Sequence, residues 1–579
     1  MRAILKGATR GVVDRPRRSL LVAAVAAISV AAASTITSAA WTDDEWVSSA
    51  VGVASPGDCA TNTLFTSQSR ARQLTGTVLN TSLDSITGVE GLTVTNNGIK
   101  ASPVPVTATP VPGTTDAFIS KLPVTALGGT IVEAGLGLGA PVGGIGSYTQ
   151  WAQSKNSGQA KGASGLVSDQ SGAMDVAGTA SGAATAPKAA SISLGAIVPT
   201  SLAGVTLDVG AVASSAVVDS CAMINGWPTP DPTPAVERDY GIASLDLNAE
   251  VPAIGSLSTQ GGALVGAVPD QLNALTGTGG LATAISNGIS DIVKPLLGTL
   301  GMSTPVTTVT VSAPDLSPVR ALMTGTLTDP DGTVTMDLGT GTVMVDLASL
   351  TGGTTGLNGK GPNHAVVLDA AMTAKVNGRV TALLDAWKNR VLAALTTALR
   401  GVTVDATTNV TLTLAGVNAA TVAVKTGPST LGQFLDGTAA PPVVTAKVLG
   451  LDVGGVVGAL LGPITTALTS GANSVMKDAL NATVFNAGLI PALGTNLQAL
   501  ITPAVNAVGS VLAGVGTLVA IHVNVQPDQP WPGTRPADVT AAAGQYKVSA
   551  VRVGLIDNAG LLSLSLGNSS AGPVALRVP

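Results

Sequence analysis

The sequence predicts an α+β, β-rich fold, with antiparallel sandwich-like sheets supported by several amphipathic helices. Three observations lead there. Seventy glycines and 34 prolines break short apolar runs along all 579 residues, the texture of many strands joined by turns. Several of those runs alternate apolar and polar residues with a period of two. One long segment, Leu368 to Leu399, instead repeats its apolar residues at helical spacing.

The chain opens with Arg2, Lys6, Arg10, Arg15, Arg17 and Arg18 against one acid, Asp14. An uncharged run follows from Ser19 to Ala33, and small residues then lead to Ala39 and Ala40. A basic start, an apolar middle and an A-x-A-like site describe an export signal over residues 1–40, cleaved after Ala39 or Ala40. The uncharged stretch from Ser19 to Ala40 is also long enough to span a membrane if uncleaved, which would leave a tether. Arg17-Arg18 partly resembles a twin-arginine signal. Cleavage would leave 23 basic and 33 acidic residues, a net charge of -10. That balance suits a soluble extracellular protein and opposes docking to anionic lipid by charge. Cys59 and Cys221 form an even pair in a chain bound for an oxidising space, and are expected to be joined. Their loop of about 160 residues would remove on the order of 5 kcal/mol of unfolded-state entropy.

Residues 41–227 read as an N-terminal Gly/Ala/Ser-rich, β-rich region. Two Pro-rich stretches, Ser102 to Gly113 and Trp227 to Pro234, read as extended, solvated connectors, because proline fixes φ and lacks a donor. The second sets a linker over 228–239, followed by a C-terminal α+β region over 240–579. There Asp329-Pro-Asp-Gly332 predicts a turn. Val334–Leu338 and Val343–Leu347 predict a hairpin about Gly339-Thr-Gly341. A long helix is expected over 368–400, with Asp369 at its start and Arg400-Gly401 at its end. Further helices are expected at 281–300, 453–480 and 489–518, and further strands at 402–414 and 521–525. Gln545–Leu555 and Leu561–Gly567 are expected to close the chain as a strand pair. His522 falls on the polar face of its strand and is expected at the surface. The uncharged stretch Ala479–Ile521 invites a transmembrane reading, but Pro491, Pro503, Asn496, Asn506 and Gln498 interrupt it and the acidic chain beyond it lacks flanking bases. A buried amphipathic helix pair is the expectation.

Composition narrows the chemistry. Charged residues are 11% of the chain, against roughly 25% in average proteins, and mean hydropathy is +0.45. A net charge of -5 without a basic stripe disfavours nucleic acid. Two His and two Cys leave little material for transition-metal sites. The glycines around Gly135–Gly146 lack both phosphate-loop spacings, and Gly162-Ala-Ser-Gly165 lacks that of a nucleophile elbow. Asp43-Asp44-Glu45 and Asp329/Asp331 offer oxygens to a hard cation without the spacing of an EF-hand. No catalytic residue, cofactor site or metal ligand is assigned, and the protein is read as no enzyme.

Several phrases carry a family resemblance. Ala40-Trp-Thr-Asp-Asp-Glu-Trp46 and Asp58-Cys59 follow the signal. Gly146-Ser-Tyr-Thr-Gln-Trp-Ala-Gln153 and Gly162-Ala-Ser-Gly-Leu-Val-Ser-Asp169 come next, then Asp331 to Leu347, Leu357-Asn-Gly-Lys-Gly-Pro-Asn363 and the closing Leu564 to Pro573. In this order they resemble the choice-of-anchor G family of exported actinobacterial surface proteins, over nearly the whole mature chain. The resemblance implies a cell-surface or secreted structural, adhesin-like protein, and no catalytic residues. Its partners would be envelope or matrix components, or further copies of the chain, with a membrane met only through an uncleaved signal. Family members carry a variable sorting signal after the shared region. Gly572 to Pro579 shows no L-P-x-T-G, so release, non-covalent retention or self-assembly is expected. The rival readings are a secreted hydrolase built on a carboxylate pair and an uncleaved, membrane-tethered surface protein.

Overall fold

The computed structural model describes residues 59, 64–78, 81–83, 90–121, 136–137, 148–174, 176, 190–197, 204–224, 227–274, 276–277, 280–296, 301–352, 356–414, 417–448, 451–452, 475–555 and 561–577. The expected signal, with Ala39 and Ala40, lies outside them, as do Asp43-Asp44-Glu45 and 453–474 of one expected helix. The architecture is β-rich α+β, as the turn-punctuated sequence predicts, and every described strand pair is antiparallel.

Twelve strands position the site. They are β1 (Phe65–Val78), β2 (Leu92–Asn96), β3 (Ala101–Val104), β4 (Ala117–Lys121), β5 (Thr149–Ser154), β6 (Gln159–Gly165), β7 (Val212–Ile224), β8 (Trp227–Ile242), β9 (His364–Val366), β10 (Val519–Val525), β11 (Tyr546–Leu555) and β12 (Leu562–Leu576). The first sheet runs in the order β9-β10-β11-β12-β1-β2-β3. The second runs β8-β7-β6-β5-β4 and ends on Thr109–Pro110. The first described strand, β1, therefore pairs with the last, β12, from Phe65↔Leu576 to Val78↔Leu562. The N-terminal and C-terminal regions read from the sequence thus share one sheet.

The Pro-rich stretch after Cys221 is extended, as expected, but it is not a linker. It opens β8, which pairs with β7 from Ile224↔Trp227 onward and forms the edge of the second sheet. An edge tolerates proline, because its missing N–H can face away from the neighbouring strand, where it also discourages pairing with another chain. Asp231 to Pro234 lie in the irregularity between Cys221↔Pro230 and Asp219↔Ala235.

The two sheets pack through small side chains. The Ser69 and Ser154 hydroxyls meet at 2.9 Å and those of Ser214 and Ser569 at 2.6 Å, all four buried. At Gly162 on β6 a Cβ atom would lie 2.3 Å from the Arg70 carbonyl oxygen and 2.7 Å from that of Ser570. Backbone meets backbone there, and only glycine fits. The abundance of Ser, Gly and Ala in the N-terminal region thus has a packing cause.

The larger core lies toward the C-terminal half. A seven-stranded sheet carries the expected hairpin, Val334–Asp337 with Thr342–Asp346, with Gly341 at φ +74° in its turn. A six-stranded sheet is built on Thr403–Leu414 and Val417–Thr430. Helices α1 (Pro252–Gly266), α2 (Leu281–Val293), α3 (Ala370–Arg400) and α4 (Leu489–Leu518) complete it. The Asp369 side chain caps α3 by accepting from the Met372 N–H at 2.8 Å. Its apolar stripe, from Val376 to Leu399 and including Trp387, is buried as the spacing requires. Gly401 ends it at φ −78°, without the left-handed cap the sequence suggests.

The uncharged helix α4 packs on α3 and α1 and buries Leu493, Leu497, Ile501, Val508, Leu512 and Val515. Val475–Leu518 is long and apolar enough, at mean hydropathy 1.6, to cross a membrane. Here one face is committed to the core, and Asn496, Gln498 and Asn506 fall outside the buried set.

Candidate functional site

In an antiparallel sheet, directly paired residues point to the same face. The register places Lys547 opposite Ser570, Ser570 opposite Arg70, and Arg70 opposite Thr93. These four side chains form one row across β11, β12, β1 and β2. Arg72 and Asn568, also paired, make the next row on that face. Ser69 and Ser569, one residue out of phase, turn the other way and reach Ser154 and Ser214 of the second sheet. Gly162 backs the row directly, at the Arg70 and Ser570 carbonyls.

A cleft of about 350 Å³ lies over this row, closed on one side by Thr540, Ala541, Ala542 and Gln545. A second cavity of about 530 Å³ shares those four residues and extends under Pro527, Asp528, Arg535 and Tyr546. Arg70 is exposed, while Arg72 and Lys547 are half-buried. Arg72 is oriented by its own hydrogen bond to the Leu74 carbonyl, 2.9 Å. The Gln545 amide donates to the Ser570 hydroxyl at 3.0 Å and its carbonyl oxygen accepts from the Ala542 N–H at 3.1 Å, so the loop is tied to the cleft floor.

The wall, residues 526–545, connects β10 to β11 and is held by buried polar bonds. Arg552, wholly buried, grips the Asp538 carboxylate through Nε at 2.8 Å and Nη2 at 2.7 Å, and the Ser563 hydroxyl donates to the same group at 2.5 Å. Burial raises the Asp538 carboxyl, but these bonds outweigh it and hold the group below the usual carboxylate range. Asp528 behaves alike: burial raises it, and the paired Arg238 guanidinium brings it below. Asn363, buried, donates to the carbonyls of Gln526 and Pro530 at 2.9 Å each and accepts from the Gln526 N–H at 2.7 Å. Asn363 and its partner Asn524 sit at φ +56° and +53°, in the left-handed region that asparagine tolerates best after glycine. The Leu357–Asn363 phrase singled out in the sequence is a clasp for this wall. Tyr240, Ile242 and Asn524 hold the rest of it: the Tyr240 hydroxyl donates to the Leu357 carbonyl at 2.6 Å, and the Asn524 amide to the Lys360 carbonyl at 2.9 Å.

His522 corrects an expectation. It is 8% exposed rather than at the surface, with its ring 4.5 Å from that of Trp531, and its Nδ1 is buried without a hydrogen-bond partner. Burial first, then the charges of Arg552 and His364, push its pKa down to about 4. Strand alternation alone misled here, because the 526–545 connection folds back and covers the face that would have met water.

The other sequence-derived candidates lie apart from the cleft. Cys59 and Cys221 are bonded, with Cα atoms 6.1 Å apart, and tie the segment before β1 to β7. Asp329 and Asp331 are both engaged by the Arg379 guanidinium of α3, so that turn is an ion-paired clip on the helix. Ser164 is buried and donates to Gln73 at 3.4 Å. Of the Gly135–Gly146 cluster, Gly135 and residues 138–146 fall outside the described residues. Sequence reading missed Arg70, Arg72 and Lys547. A local signal exists in their alternation with Ser69, Ala71 and Val548, but nothing in it relates positions so far apart in the chain.

A family model described as Domain of unknown function (DUF8394) matches residues 69–572. No curated protein and no solved structure matches.

Proposed function

We propose that this chain, which belongs to that DUF8394 family, is an exported, non-catalytic component of the cell surface or its surroundings, structural or adhesin-like in role. One observation carries the reading. Cys59, 19 residues or so past the expected cleavage point, is joined to Cys221 on β7, and such bonds persist in oxidising compartments outside the cytosol. The basic and apolar N-terminal run supplies the export signal. Broad sheets with few charges suit display rather than turnover, and the β7–β8 hairpin presents Met223, Ile224 and Trp227 exposed beside the disulfide.

Fractionation of cells into medium, wall, membrane and cytosol tests this. The expected outcome is protein in the medium or wall fraction, beginning at Ala40 or Trp41 by N-terminal sequencing. Recovery in the cytosol with both thiols alkylatable would overturn it. A start at Met1 in the membrane fraction would replace it with the tethered form.

A further inference from the structure

We propose that the cleft over Arg70, Arg72 and Lys547 binds an acidic glycan, through carboxylate or phosphate oxygens flanked by sugar hydroxyls. The inference rests on the reading of an exported surface protein and names what that surface takes. Its basis is the cross-strand row. Lys547 and Arg70 stand on the strands either side of Ser570, and Arg72 follows in the next row. Three cationic side chains thus converge on one concave surface, and no Asp or Glu is among the described residues that line it. Among the described lining residues the sign is thus opposite to the chain's net charge of -5, and a concave patch of one sign focuses its field on an oppositely charged ligand.

The neutral lining narrows the ligand further. Thr75, Thr93, Thr540, Gln545, Asn568 and Ser570 offer hydroxyls and amides around the cations. Ser570 accepts its bond from Gln545, so its own proton is available to a ligand oxygen. Guanidinium groups pair two anionic oxygens at once, whereas the ammonium acts as a point charge, so both carboxylate and phosphate fit the set. No aromatic ring is among the described residues that line the cleft, so recognition there falls to charge and hydrogen bonds rather than to stacking on a sugar or base. The volume of about 350 Å³ lies at the small end of the ~300–1,000 Å³ typical of ligand pockets. The adjoining cavity with Arg535 gives a longer chain a path onward.

The test is calorimetry on the full exported chain with four probes: a uronic-acid oligosaccharide, a phosphorylated oligosaccharide, a neutral oligosaccharide of matched length, and single-stranded DNA. Binding of the uronate or the phosphorylated oligosaccharide, weakened by salt, is expected, and which of the two binds identifies the source of the anion. Arg70→Glu should weaken it roughly tenfold or more, since a charged hydrogen bond becomes a repulsion, with an unchanged melting temperature because Arg70 is exposed. Should that variant melt early, Lys547→Gln decides the point by a smaller loss. Equal binding of the neutral glycan, equal binding of DNA, no binding to either anionic glycan, or affinity indifferent to both substitutions would each overturn the proposal. A surface-located chain that binds neither probe defeats this inference alone. A cytosolic chain defeats the surface reading even if the cleft binds.

Discussion

His522 shows how much one buried ring can contribute to the behaviour of the chain. Its folded pKa is about 4, against 6.5 in the unfolded chain. Between those values the unfolded state takes up a proton that the folded state refuses. Stability is therefore full above about pH 6.5 and falls as the pH drops toward 4. Urea midpoints measured from pH 7 to pH 4.5 should show this decline, and His522→Gln should flatten much of it; an equally steep decline in the variant would mean that the ring is not held neutral. His364, exposed on β9, is lowered by burial and by Lys360, so it adds a slope of the same sign. The clasp of Asn363 and the Arg552–Asp538 pair are different in kind. They satisfy buried polar groups that would each cost a few kcal/mol if left alone.

At the scale of elements, the sheet-on-sheet contact is the least forgiving feature. Gly162 lies against the carbonyls of Arg70 and Ser570, and a side chain there meets backbone that cannot rotate away. Gly162→Val should lower the melting temperature, by about a degree for each kcal/mol lost in a chain of this length, and should weaken ligand capture in the cleft that this contact supports. A variant with wild-type melting would show that the sheets separate more easily than the packing implies. Helix α3 was legible beforehand, because a 3.6-residue repeat and an Asp cap are local properties. So were the hairpin about Gly341 and the strands ending at Leu414 and Val525, where turn residues and alternation act within a few positions. The Pro-rich stretch from Trp227 is extended, as its prolines require, but its place in a sheet is not visible in the sequence. Proline reports φ and a missing donor, and says nothing about whether a neighbour lies on its other side.

For the whole molecule, the decisive features are closures between distant parts of the chain. The disulfide spans 162 residues and should contribute up to about 5 kcal/mol by restricting the unfolded chain. Cys59→Ser with Cys221→Ser should lower the melting temperature by several degrees while leaving the β-sheet circular dichroism unchanged, and reductant should have no further effect on that double variant. An unchanged melt would mean that the staple only records the compartment. The pairing of β1 with β12 is the second closure, and it creates the cleft, since Arg70 and Lys547 meet across Ser570 only when the first and last described strands are neighbours.

By itself the sequence determined the fold class, helices α2, α3 and α4, the local hairpins and the disulfide partners, because propensity, periodicity and a single pair of cysteines need no knowledge of distant contacts. Only the tertiary structure decided which strands became neighbours, that the Pro-rich stretch forms a sheet edge, that His522 is covered, and that three cations share a cleft. Register couples residues hundreds of positions apart through backbone hydrogen bonds, and those bonds are the same for every side chain, so the sequence carries little local record of them.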